Sequence, residues 1–251
     1  MTVLDRRIDA VSVAVVVGVV ATQVTLVVVV APLWAVFAVL VPLRQLFLVE
    51  HNHVHRPIFV ARAANAGFDT MLLLAGGIPP DFYRLQHVRN HHRYNNAAGD
   101  WTSPFRFRNT RYPDRPCSLL RYIATFAPAV YLRSSREILR RRNRSMLIRT
   151  LASTLVVAVV VVALALHNPA GVLVFFGIPW LLPSLFAPIA NWRHHVGNTY
   201  TDALSSANNH LGVTGRLLGF NIGYHREHHH RPAAHWSDLP SLHLPIPVER
   251  S

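Results

Sequence analysis

No charged residue occurs between Ala10 and Leu43, and a second uncharged stretch runs from Thr150 to Asn191. Each is far longer than the ~20 residues that one membrane helix needs. Pro32 interrupts the first stretch, and His167, Asn168 and Pro169 form a turn signal within the second. The pattern predicts two helical hairpins, with membrane helices over 11–30, 33–49, 147–166 and 170–190. Valine-rich runs such as Val156 to Val162 also suit buried strands, but two uncharged stretches of this length in one chain favour membrane helices. The start of the chain, with Arg6 and Arg7, has the basic flank of a signal peptide. Its apolar run is too long for one, and no small-residue cleavage site breaks it.

The flanks of these stretches are unequal. The hairpin tips carry no arginine, whereas the other ends carry Arg6, Arg7, Arg44, Arg56, Arg62, the run Arg140 to Arg144, Arg149 and Arg193. The positive-inside rule places those ends in the cytoplasm. The segments 50–145 and 191–251 then form a cytosolic helical cap on one face of the membrane. The expected fold is an all-α, multi-pass integral membrane protein in a bacterial cell membrane, with one domain over 1–251. Residues 63–80 are apolar but short and broken, which predicts an interfacial or half-buried helix. A full span there would put the segments around it on opposite sides. Residues 118–139 predict an amphipathic helix, with Arg121, Arg133 and Arg136 either facing lipid phosphates or solvated.

Composition agrees with this picture. Of the 251 residues, 51% are hydrophobic, and the mean hydropathy is +0.25. The net charge of +13 comes from arginine without lysine. A nucleic-acid partner would explain the charge but leaves the apolar stretches without a role. Cys117 is the single cysteine, which excludes an internal disulfide framework, a CxxC pair and a cysteine zinc site. The unusual count is 16 histidines, most of them in short clusters.

Those clusters all lie in the predicted cap. They are His51, His53 and His55; His87, His91 and His92; His194 and His195; and His225 with His228, His229 and His230. A helical residue turns by about 100°, so His51 and His55 share a face and His53 points away. His87 and His91 also share a face, with His92 about 100° off it. His225, His228 and His229 cover an arc of about 100°. The clusters thus offer two, three and three ligands, too many imidazoles for one ion. Imidazole suits zinc, copper, iron and nickel, so the ligands alone do not name the metal. The Glu-x-x-His pairs of soluble carboxylate-bridged bundles are absent, and Glu227 points away from its neighbours. His167, His235 and His243 read as isolated structural histidines. A further ligand should follow the last membrane helix, where His194, His195 and His210 are candidates. Asn191 and His195 share a helix face at i,i+4 spacing, whereas His210 sits in a predicted loop.

At these residues the chain resembles the membrane fatty acid desaturases. Their three histidine boxes are matched by His51-x-x-x-His55, His87-x-x-x-His91-His92 and His225-x-x-His228-His229. The stretch from Asn221 to Leu239 is similar to the end of the bacterial members, and the resemblance covers nearly the whole chain. It implies four membrane helices and a cytosolic cap that holds two iron ions and uses O2 as co-substrate. It also implies Asn191 and His195 as the additional Asn-x-x-x-His element, with the histidine on iron and the asparagine acting through water. The substrate would be an acyl-lipid, acyl-CoA or acyl-carrier-protein. Electrons would come from a separate ferredoxin, rubredoxin or cytochrome.

Three other functions share parts of this pattern. A hydroxylase or ketolase acting on a lipid, carotenoid or natural-product chain shares every ligand with a desaturase. A metal-binding or transport protein without catalysis should carry polar residues along its spans; these hold few, such as Gln23 and Thr25 in the first. A zinc hydrolase should show HExxH, which this sequence lacks.

Overall fold

The computed structural model describes residues 3–105, 116–140, 143–198 and 202–243. Arg141 and Arg142 of the basic run, residues 106–115 and 199–201, and the tail 244–251 lie outside the described residues. Among those described there is no strand, only two isolated bridges, Leu4 to Phe59 and Phe105 to Pro116.

Four helices are long and apolar enough to cross a membrane. Helix α1 (Ala10–Val28) follows a 3-10 turn at Arg7–Asp9, and α2 (Phe37–His55) follows another at Leu33–Val36. The two pack against each other. Helix α3 (Arg62–Gly76) is not one of the four spans; it buries Phe68, Leu72 and Ala75 in a core shared with α1 and α2. The short helix expected over 63–80 forms as α3. Gly77 closes it with a φ of 76°. A Cβ there would meet Trp180 atoms at 2.5–2.9 Å, so only glycine fits both the turn and the contact. Helix α4 begins at Pro80–Tyr83, passes through a π segment at Arg84–His91 and ends at His92–Tyr94.

Helix α5 (Leu119–Arg140) buries Tyr122, Phe126, Val130, Ser134 and Ile138 at four-residue spacing and leaves Arg121, Arg133 and Arg136 exposed. Helix α6 (Arg144–His167) starts at an Asn143 cap whose Oδ1 accepts from the Met146 amide. It buries little beyond Met146 and Val157, while Leu155 is 66% and Leu166 85% exposed. So long an apolar exposed surface suits lipid rather than water. Helix α7 runs from Pro169 to His195 through a π segment at Leu173–Gly177. Gln23 of α1, fully buried, donates to the carbonyls of Phe175 and Ala75, satisfying one group on each of α7 and α3 inside the bundle.

Two features differ from the expected layout. Beyond their shared turn, α6 packs mainly on α3 and α1, while the end of α7 packs on α5. The apolar pattern identifies each span but not its neighbours. The spans also extend past the expected ends, α2 to His55 and α7 to His195.

The contacts define two ends of the bundle. At one, His167 Nε2 donates to the Val28 carbonyl and Asn168 Nδ2 to that of Val27. At the other, Asp9 before α1 meets His235 and Trp236, and Arg6 pairs with Asp238 at 2.6 Å. The C-terminal turns of α2 and α7 and the short helix α8 (His225–His230) gather at this second end.

Candidate metal centre

The last turn of α2 supplies His51 and His55, and α4 supplies His87, His91 and His92. The end of α7 supplies His195, and α8 supplies His225, His228 and His229. Seven of these nine are buried, and His55 and His92 are half-buried.

They separate into two adjoining groups. Ligand atoms of His51, His55, His87 and His228 lie within 4.8 Å of one another, as do those of His91, His195 and His229. His92 joins the first group, its Nε2 lying 3.2 Å from that of His87 and 3.0 Å from that of His228. His225 joins the second, its Nε2 lying 3.2 Å from that of His195, which is 3.1 Å from that of His91. Two imidazole nitrogens bound about 2.1 Å from one ion, at right to tetrahedral angles, lie about 3.0–3.4 Å apart. The buried Nε2 atoms of His51, His55 and His229 find no hydrogen-bond partner among the described residues. Buried polar atoms left this way require an explanation. A pair of metal ions fits both the spacing and the donor set.

The π segment sorts the second box. In a regular α-helix His92 would lie about 100° from the shared face of His87 and His91. The i→i+5 pattern of a π turn instead brings His87 and His92 together and sends His91 to the other group. The helical phase expected for His92 is corrected accordingly.

The remaining ring nitrogens are held by groups outside the boxes. His91 Nδ1 donates to Asp100 Oδ2 at 2.7 Å, and that oxygen also accepts from the Asn96 amide. Asp100 Oδ1 accepts from the amide and hydroxyl of Thr102. His229 Nδ1 donates to Asn95 Oδ1 at 2.9 Å, and His195 Nδ1 to the Ser206 carbonyl at 2.7 Å. Such partners fix each ring's tautomer and aim Nε2 at the metal position. Burial, reinforced by neighbouring imidazoles, holds His87, His92, His225, His228 and His229 well below the ordinary histidine pKa. Burial thus favours the neutral form that a metal ligand requires. Nothing in the sequence marks Asp100, Asn95 or Ser206: a polar residue three or eight positions after His92, or eleven after His195, carries no spacing signal.

Other candidates fall elsewhere. His53 is fully buried and turned to α3, its Nε2 3.2 Å from Asp69 and its Nδ1 accepting from the Ile58 amide. Asn191 Nδ2 donates to the Thr102 carbonyl and to the Tyr122 hydroxyl. His194 donates to the Asn208 carbonyl and lies tilted against His225, with ring centroids 4.1 Å apart. His210 is exposed beside His194. Glu227 turns away from the centre and accepts from Asn209 and His243, and His230 is exposed.

Comparison with curated proteins and with solved structures gives no significant match. The family model described as fatty acid desaturase matches residues 25–247, a range that includes all three boxes and the end of α7. The chain belongs to the fatty acid desaturase family.

Proposed function

We propose that the protein is a membrane di-iron oxidoreductase that desaturates an acyl chain with O2. The observation that carries this reading is the convergence of nine histidines, in groups of five and four, at one end of four apolar helices. His51, His55, His87, His92 and His228 would hold one iron, and His91, His195, His225 and His229 the other. The iron pair supplies the redox chemistry with O2 that removes hydrogen from an unactivated carbon, which no side chain achieves. The overall balance is R–CH2–CH2–R plus O2, two protons and two electrons, giving R–CH=CH–R and two waters.

The chain's own residues orient and shield the centre. Asp100, Asn95 and Ser206 hold His91, His229 and His195 in place. Tyr83 packs beside His51 and His87, closing one side with an aromatic ring. The membrane brings an apolar chain to the helix ends, and the arginines there suit an anionic acyl carrier. The centre then faces the cytoplasm, in a hairpin-and-cap topology, and a separate ferredoxin, rubredoxin or cytochrome supplies the electrons. Zinc lacks redox chemistry and would leave the reaction undone.

The test is metal analysis of the purified protein, followed by mass spectrometry of products formed with a reconstituted reductase. An alkene product two hydrogens lighter than the substrate is expected. An alcohol as the sole product would place the chain with hydroxylases, and a zinc-loaded protein without turnover would overturn the reading.

A further inference from the structure

The turn-rich segment 211–223, between α7 and the third box, returns along the outside of α2. Arg44 of α2 donates to the Leu218 carbonyl at 2.9 Å and to the Thr214 carbonyl at 2.7 Å. Phe220, with a φ of 47°, is buried in the core that contains Leu43, Leu46 and Val49 of the same helix. The segment is therefore fastened to α2 at the level of Arg44. Arg44 precedes His51 by seven residues, which places it about 10 Å further along the helix axis, towards the apolar middle of the span.

What the segment exposes at that level is apolar. Leu217 is 82%, Val213 65% and Leu218 53% exposed, with Arg216 exposed among them. Val41, one turn further into α2, is also an exposed apolar side chain, so this surface continues the outer face of the span. Backbone carbonyls at membrane depth need partners from the protein, and Arg44 supplies them for two. An apolar tip with an arginine beside it is the pattern of an interfacial anchor, with the guanidinium reaching lipid phosphates.

We infer that residues 212–220 form an anchor whose Val213, Leu217 and Leu218 insert into the lipid around α2. Bilayer lipid is the occupant favoured over a protein partner, because the surface is continuous with a membrane-spanning helix. The third box begins five residues after Phe220, so the anchor sets the depth of α8 against the bilayer.

The inference rests on the membrane reading of the four helices, and the experiment separates the two. Single cysteines for a nitroxide label are placed by Leu217→Cys, Val159→Cys on the exposed face of α6, and Ser241→Cys beyond the anchor, each in a Cys117→Ser background. The full protein is reconstituted in phosphatidylcholine and phosphatidylglycerol vesicles. Accessibility to oxygen and to a water-soluble nickel chelate is then measured. The Leu217 site should show an oxygen-to-nickel ratio several-fold above that at Ser241 and close to that at Val159. A Leu217 ratio equal to that of Ser241, with Val159 still lipid-like, overturns the anchor while the spans stand. Water-like ratios at all three sites overturn the anchor together with the membrane reading.

Discussion

His91 keeps only Nε2 for a metal, because Asp100 takes its other ring nitrogen at 2.7 Å. Both Asp100 oxygens accept from donors, so an amide in its place turns an N–H towards one of them. Asp100→Asn should weaken metal binding by about 10–100-fold, the usual cost of losing such a partner. A metal titration of the apoprotein measures it; unchanged affinity would remove Asp100 from the site. His53 and His55 make a second contrast on one helix turn. His55 faces the first group and His53 faces Asp69, so His55→Ala should lose iron and activity while His53→Ala should keep most of its iron. The spacing of the first box makes this difference legible in the sequence. The role of Asp100 is not legible, because it depends on how the loop after α4 folds back. For the end of α7, His195→Ala should cost iron and turnover, Asn191→Ala less, and His194→Ala and His210→Ala least. Retained iron and turnover in His195→Ala with loss of both in His210→Ala would move the assignment to the loop.

Between elements, Asp69 of α3 is the fastening point. It lies 3.2 Å from His53 of α2, and it receives a bidentate pair from Arg84 of α4 at 2.9 and 2.7 Å. Arg84 also reaches Asp81 at 3.1 Å. One carboxylate thus links the helices that carry the first two boxes. Arg84 and Asp69 are both largely buried, and removing one partner of such a pair costs about 3–5 kcal/mol. Asp69→Ala should lower the unfolding midpoint in detergent and release iron earlier on heating; an unchanged midpoint would show that α3 does not tie the boxes. The apolar stretches and the amphipathic α5 could be read directly, since each is a composition or period signal. The neighbours of α6 were not legible, because an apolar surface does not specify which helix it meets. Nor was the π segment of α4, although histidines at both i+4 and i+5 from His87 gave a trace of it.

For the whole molecule, the family match and the four apolar helices identify a membrane desaturase family member, and the arginines cluster at one set of helix ends. That asymmetry predicts which side faces out. A cysteine replacing Ala170 should label from outside intact cells, and cysteines replacing Ala98 and Ser241 only after permeabilisation. Outside labelling at Ala98 would place the second box away from the cytoplasm. Metal removal separates structure from chemistry: chelation should abolish turnover, and ferrous iron with reductant should restore it where zinc does not. The most direct test of the central claim is the iron content of purified, fully active protein, measured by mass spectrometry against protein concentration. Two histidine groups predict about two irons per chain, with His228→Ala and His229→Ala each lowering that number. Full activity with about one iron per chain would contradict the two-metal centre.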